Sequence, residues 1–192
     1  MRPGVAEAYL KEVVADFEKF AKDKYLPVLR SANADQATLL AALRYVATRK
    51  VAGHESSLRE IYTTRHKGKV GAQVSEAALD ALLETAADRE ATARFLVLAA
   101  SAADPVPVVR VSLNGLQRLG KPTARRAMLA ELREGHSPDR LVAIVQLLAD
   151  DTRISSPIPL PEWRKADGAA RAEAVDTWQS RIEAAGGLRD AP

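Results

Sequence analysis

Two proline-containing turns constrain the fold of this chain more than any other feature. Asp104-Pro105 and Ser137-Pro138 lie 33 positions apart, from 104 to 137, and each precedes a segment with apolar residues at helical spacing. A recurrence of this length is typical of stacked helix pairs, because one pair alone cannot bury its apolar face. The sequence therefore predicts an all-α protein in which helix pairs repeat.

The segment after the first turn has a recognisable order of residues. Asp104-Pro105 opens it, Val109-Arg110 stands in its first turns, and Leu119-Gly120 closes it. Asp104 can cap a helix, proline is tolerated in the first turn, and Gly120 can take a left-handed conformation after the last turn. This order resembles the first helix of a HEAT repeat. The resemblance covers about 104–149 and implies a short α-solenoid of stacked antiparallel helix pairs, curved into a right-handed stack.

The HEAT-like resemblance and the proline-rich segment near 155–161 together predict three parts of the chain. We expect a helical HEAT-like stack over 1–151, with its clearest repeat at 104–135 and the next from 137, a proline-rich connector over 152–168, and a capping helix over 169–186. The last helix, with Arg171, Ala174, Val175 and Trp178, resembles a closing helix of bacterial HEAT-repeat proteins. In that comparison Ile182 stands where a second tryptophan is frequent.

The first half of the chain is helical by pattern, without a family motif. Apolar residues recur on one stripe of the first segment, which predicts an amphipathic helix that ends near Pro27. Asp35 and Asp88 are candidate N-caps, and Ser75 is the expected start of a further helix. Residues 66–71 are expected to form an exposed turn. The apolar stripe of the first segment consists of Leu10, Val13, Val14, Phe17, Phe20 and Ala21.

Composition narrows the compartment and the chemistry. The chain has a net charge of +3 and no cysteine, so disulfides and thiolate metal sites are excluded. The first residues lack the apolar core of a signal peptide, and we expect a cytoplasmic protein, or a periplasmic one if a signal peptide has been removed.

Motif patterns supply no candidate for catalysis, for a cofactor or for a metal. The position four residues after His54 is Leu58, so the His-Glu-x-x-His zinc pattern is incomplete. Gly68-Lys69 does not follow the phosphate-binding loop order. We therefore expect no enzyme activity, no cofactor and no metal.

The leading hypothesis is a protein-interaction scaffold or accessory subunit of a larger complex. Its partner would be another protein, one candidate being a protein with an acidic surface, bound through the helical surface of the stack and the cations in the middle of the chain. A nucleic-acid-binding HEAT-like protein using the same cations is the first alternative, and a HEAT-like lyase-type enzyme is a second, by fold analogy alone. The candidate partner-binding residues are Arg110, Arg118, Arg125, Arg126, Arg65, Lys67, Lys69 and Trp163.

The two tryptophans admit two interpretations. Trp163 and Trp178 flank the end of the connector and can fold the tail back onto the stack, with their rings buried. Alternatively, a tryptophan can anchor a partner, as is common at interface hot spots. Burial is the favoured interpretation.

Overall fold

The computed structural model describes residues 3–31, 33–64, 71–102 and 106–189, and these contain helices and connecting turns but no strand. The all-α prediction is confirmed for this part of the chain. A 3-10 helix, Pro27–Arg30, follows the first α-helix. The α-helices are α1 Pro3–Tyr25, α2 Gln36–Arg49, α3 Glu55–Thr64, α4 Gly71–Thr85, α5 Arg89–Ala100, α6 Val106–Leu119, α7 Lys121–Arg133, α8 Pro138–Thr152, α9 Leu160–Trp163 and α10 Gly168–Ala184.

Local capping explains where several helices begin. The side chain of Asp35 accepts a hydrogen bond from the backbone N–H of Thr38 at 2.9 Å, and Asp88 does the same for Ala91 at 2.9 Å. Both predicted N-caps are therefore confirmed, because each satisfies a donor that has no partner inside its helix. The expected cap Asp104 and the turn at 66–70 lie outside the described residues.

One predicted helix start was wrong. The helix expected from Ser75 begins at Gly71, four residues earlier. Gly71, Val74, Ser75 and Ala78 are all buried and lie on one side of α4. Packing of this stripe extends the helix beyond the point that local sequence signals indicate.

The junction between α6 and α7 shows a glycine in a conformation that other residues rarely adopt. Gly120 has φ 94° and ψ 147° and serves as the N-cap of α7, which begins at Lys121. The positive φ expected of Gly120 is present, although ψ differs from that of a left-handed helical residue. Pro122 follows in the first turn of α7, where no N–H partner is required.

Helices pack mainly on near neighbours in the sequence. α2 packs on α4 and α4 on α6, while α5 contacts both α6 and α7. α7 in turn contacts α8 and α10. One continuous core of buried leucine, valine, alanine and isoleucine side chains runs through these contacts.

Two features of the core fix how neighbouring helices meet. The hydroxyl of Tyr62 donates to the carbonyl of Val108 at 3.1 Å and lies 2.7 Å from Ser112 Oγ, which joins α3 to α6. One turn further along the same side of α6, a Cβ added to Gly115 would lie 2.8 Å from a methyl group of Leu96 and 2.9 Å from one of Leu79. α6 therefore approaches α4 and α5 closely at Gly115.

The C-terminal region contains the last three helices. α8 ends at Thr152, and the connector that follows includes the short helix α9 before α10 begins at Gly168. None of the described helices has both the length and the apolar character needed to cross a membrane.

Candidate interaction surface

The central arginines were the first candidates for partner binding, and the structure gives three of them partners within the chain. Arg118 on α6 forms an ion pair with Asp80 on α4, with both side chains about half exposed. Exposed pairs of this kind contribute little to stability. The pair nevertheless places a carboxylate directly against the arginine that a partner would have to meet.

Arg125 on α7 is part of the packing of the C-terminal region. Its Nε donates to Asp151 Oδ2 at 2.6 Å, and its Nη1 donates to the carbonyl of Gly187 at 2.9 Å. Its Nη2 donates to the backbone carbonyl of Asp151 at 3.2 Å. Only 12% of the side chain is exposed. The planar guanidinium thus links α7, the end of α8 and the turn after α10.

Arg126 has a similar role beside it. Its Nε donates to Glu90 Oε1 at 3.1 Å, and its Nη1 donates to the carbonyl of Leu188 at 3.2 Å. The two adjacent arginines therefore hold consecutive residues of the C-terminal turn. This role was not apparent from the sequence, in which Arg125 and Arg126 are simply two adjacent basic residues on a predicted helix.

Among the predicted residues that lie in the described part of the chain, Arg110 remains available to a partner. It lies on α6, is exposed, and has no hydrogen bond or ion pair with any residue in the described part of the chain. Arg65, Lys67 and Lys69 lie outside the described residues.

Trp163 is completely buried, as is Trp178. Their ring centroids are 6.4 Å apart, and the indole N–H of Trp163 donates to Ser156 Oγ at 2.8 Å. The indole N–H of Trp178 donates to the carbonyl of Ile154 at 3.2 Å. The favoured burial interpretation is confirmed, and the ring of Trp163 offers a partner no accessible surface.

Large exposed apolar side chains are concentrated on α1. Phe17 is 65% exposed and Phe20 is 62% exposed, and Val13 and Val14 lie beside them with about half of their surface in solvent. The spacing of these four residues places them on one side of the helix. We call this group of four residues the α1 apolar face.

α1 packs on the rest of the chain near its C-terminal end. Ala21 is buried, and the ring of Tyr25 lies 5.5 Å from that of Tyr45 on α2. Glu18 pairs with Arg49 at 3.4 Å. α1 contacts the 3-10 helix and α2, and residues 11–17 are all exposed. The helix is thus attached near one end, and no residue in the described part of the chain covers its apolar face.

No known protein family, curated protein or solved structure matches this chain.

A second cluster of charged side chains is satisfied internally. Glu131 on α7 is buried and forms an ion pair with Arg94 on α5, and its other carboxylate oxygen lies 2.8 Å from His136 Nε2. The hydrogen bond to Glu131 raises the pKa of Arg94 above its ordinary value. Such a buried carboxylate requires these partners. Among the described residues, no group of three or more histidine, aspartate or glutamate side chains is arranged to hold a metal ion.

Sequence reasoning identified the stripe on α1 but not its exposure. An amphipathic pattern shows that one side of a helix requires a cover and says nothing about whether that cover comes from the same chain. The sequence feature that could have indicated an exposed interaction surface is the pair Phe17 and Phe20. Two of the three phenylalanines in the chain lie on this face. In a chain with only 5% aromatic residues, that concentration favours a dedicated surface.

Proposed function

We propose that this chain is a non-catalytic protein-interaction scaffold or accessory subunit that binds a protein through the α1 apolar face. The exposure of Val13, Val14, Phe17 and Phe20 on one helix is the observation that carries the proposal. Contiguous exposed apolar patches are typical of interaction sites. Phenylalanine is also enriched at the cores of protein interfaces, where charged residues are depleted.

The proposed architecture is a short HEAT-like solenoid, curved into a right-handed stack. The packing of α2 on α4, of α4 on α6 and of α5 on α7 supports it, because alternate helices contact each other in series. In a solenoid each helix pair contacts its neighbours and the stack presents an extended surface. That surface would give a scaffold room for a second partner beside the α1 apolar face.

Arg110 provides a secondary contact in this proposal. Its exposed guanidinium suits an acidic partner surface. Arg118, Arg125 and Arg126 suit it less, because each already pairs with a carboxylate of its own chain. Arg65, Lys67 and Lys69 stay in the proposal on sequence grounds alone.

A nucleic-acid interface receives less support from the same contacts. Binding to a phosphate backbone depends on cations that exchange their counterions for phosphates. Three of the candidate arginines are instead neutralised by Asp80, Asp151 and Glu90. We expect no shift of duplex or single-stranded DNA or RNA in a gel at low salt.

Site-specific photocrosslinking in the cells that naturally express the protein tests the proposed function. A photoreactive amino acid replaces Phe17 in one variant and Ala15 in the control, which lies on the opposite side of the same helix. Both positions are exposed. We expect a discrete covalent protein adduct from position 17 and none from position 15. No protein adduct at position 17, or equal adducts at both positions, would contradict the proposal.

A further inference from the structure

Most of the large exposed apolar side chains lie at one end of the helix series. Of the five large apolar side chains that are exposed in the described part of the chain, four form the α1 apolar face. The fifth, Leu160, is 37% exposed and lies on the short helix α9. α10, near the other end of the series, buries Val175, Trp178 and Ile182 and presents polar residues to solvent.

This asymmetry restricts how copies of the chain can meet. A head-to-tail contact would place the α1 apolar face against the polar outer side of α10, where Glu173, Asp176 and Thr177 are exposed. A contact between two α1 helices instead covers both apolar faces at once. Such a contact uses the same patch on both copies and closes as a two-fold dimer.

We infer that α1 binds α1 of a second copy of this chain, with the two helices antiparallel. This inference rests on the proposed function, since it names the protein that covers the α1 apolar face. The pairing buries Phe17 and Phe20 of both copies in one interface, and large aromatic side chains are the usual anchors of such interfaces.

The charge distribution along α1 favours the antiparallel orientation. Residues 3–16 contain Glu7, Glu12 and Asp16 against Lys11, a net charge of −2. Residues 17–25 carry a net charge of +1, from three lysines against two carboxylates. Antiparallel helices place the acidic part of one copy beside the basic part of the other. Parallel helices would instead place parts with the same sign of charge beside each other. The helix dipoles also oppose each other favourably in this arrangement.

The same charges argue against a lipid surface as the cover. Amphipathic helices that lie on anionic membranes are typically rich in lysine and arginine on their polar side. α1 has five carboxylates against four lysines, so its net charge is −1. A protein surface that supplies both apolar area and matching charges suits α1 better.

Sedimentation equilibrium of the full-length purified protein, over a range of concentrations, tests the inference. The wild-type chain of 20.7 kDa is expected to approach twice that mass as concentration rises. Phe17→Glu is expected to weaken association by roughly a hundredfold, because it places a carboxylate in the centre of the interface. Ala15→Glu adds the same charge on the other side of α1 and is expected to dimerise like the wild type. Circular dichroism shows whether each variant keeps its helices.

Disulfide trapping tests the orientation, and the chain suits it because it contains no cysteine. Lys24→Cys places one thiol near the end of α1. In parallel helices the two thiols of a dimer lie together and oxidise to a linked dimer. In antiparallel helices that cross at Phe17, the two thiols lie about 21 Å apart along the helix axis, from 1.5 Å of rise per residue, and we expect no linked dimer.

Several outcomes overturn the inference while keeping it distinct from the proposed function. A wild-type chain that stays monomeric at all concentrations, or a dimer that survives Phe17→Glu, refutes the α1 pairing. If position 17 then crosslinks to a different protein, the interaction function stands and only the partner is wrong. If Phe17→Glu abolishes binding to vesicles containing anionic lipid and no protein crosslinks, both the inference and the proposed function fail.

Discussion

At the scale of single residues, Arg125 shows how a charged side chain can serve the fold. It bonds to the side chain and backbone of Asp151 and to the carbonyl of Gly187 while only 12% exposed. Sequence reasoning placed it among the partner-binding cations because nothing local distinguishes a solvated arginine from a buried one. Its partners lie 26 and 62 positions away in sequence, so they become visible only when the chain is folded.

Replacing Arg125 tests this role. Arg125→Ala is expected to lower the free energy of unfolding by about 1–3 kcal/mol, because a part-buried carboxylate and a carbonyl lose their donor. Amide exchange at Gly186 and Gly187 is expected to accelerate, since the turn after α10 loses its link to α7. Arg110→Ala, at an exposed position, is the control and is expected to change neither quantity. Equal effects of the two variants would show that Arg125 is not a structural link.

Tyr62 gives a pH-dependent prediction at the same scale. Burial raises its pKa from 10.0 to about 12, although the hydrogen bond with Ser112 partly opposes that rise. The folded state therefore holds this proton more tightly than the unfolded state. The resulting stability is complete below pH 10 and is lost as pH rises toward 12. Tyr62→Phe is expected to be less stable at neutral pH and to lose less stability between pH 10 and 12, measured by chemical denaturation.

At the scale of elements, some helices begin where the local sequence dictates and others where packing dictates. Asp35 and Asp88 are capping residues whose effect depends on the next three positions, so their prediction from sequence succeeded. The start of α4 at Gly71 depends on a buried stripe facing neighbouring helices, and sequence reasoning placed it too late. The exposure of α1 also depends on packing. Its amphipathic pattern is the same whether the apolar side is covered by this chain or by another molecule.

The connector between α8 and α10 is stabilised by its tryptophan. Trp163→Ala is expected to cost about 3–5 kcal/mol, as is usual when a buried tryptophan is truncated. Trp163→Phe keeps a ring beside Trp178 but leaves Ser156 Oγ without its indole donor, and is expected to cost less than the alanine variant. Leu160→Ala, on the same short helix but partly exposed, is the matched control. Denaturant titrations measure all three, and a cost for Leu160→Ala as large as for Trp163→Ala would contradict a core role for Trp163.

At the scale of the whole molecule, the helices form a series in which the two ends differ. α10 turns its tryptophan inward and its polar residues outward, whereas α1 leaves an apolar face in solvent. The all-α class followed from periodicity and composition. The difference between the ends did not, because it depends on which helices contact each other in three dimensions.

The proposed role of α1 is contact outside its own chain, through its apolar face. The most direct test is the free energy of unfolding of Phe17→Ser and Phe20→Ser, measured by denaturant titration at concentrations low enough that stability no longer depends on concentration. We predict values within about 0.5 kcal/mol of the wild type, as for surface positions that serve no packing role. A loss of about 3–5 kcal/mol, the usual cost of truncating a buried phenylalanine, would show that these rings belong to the core of the chain itself and would contradict the account.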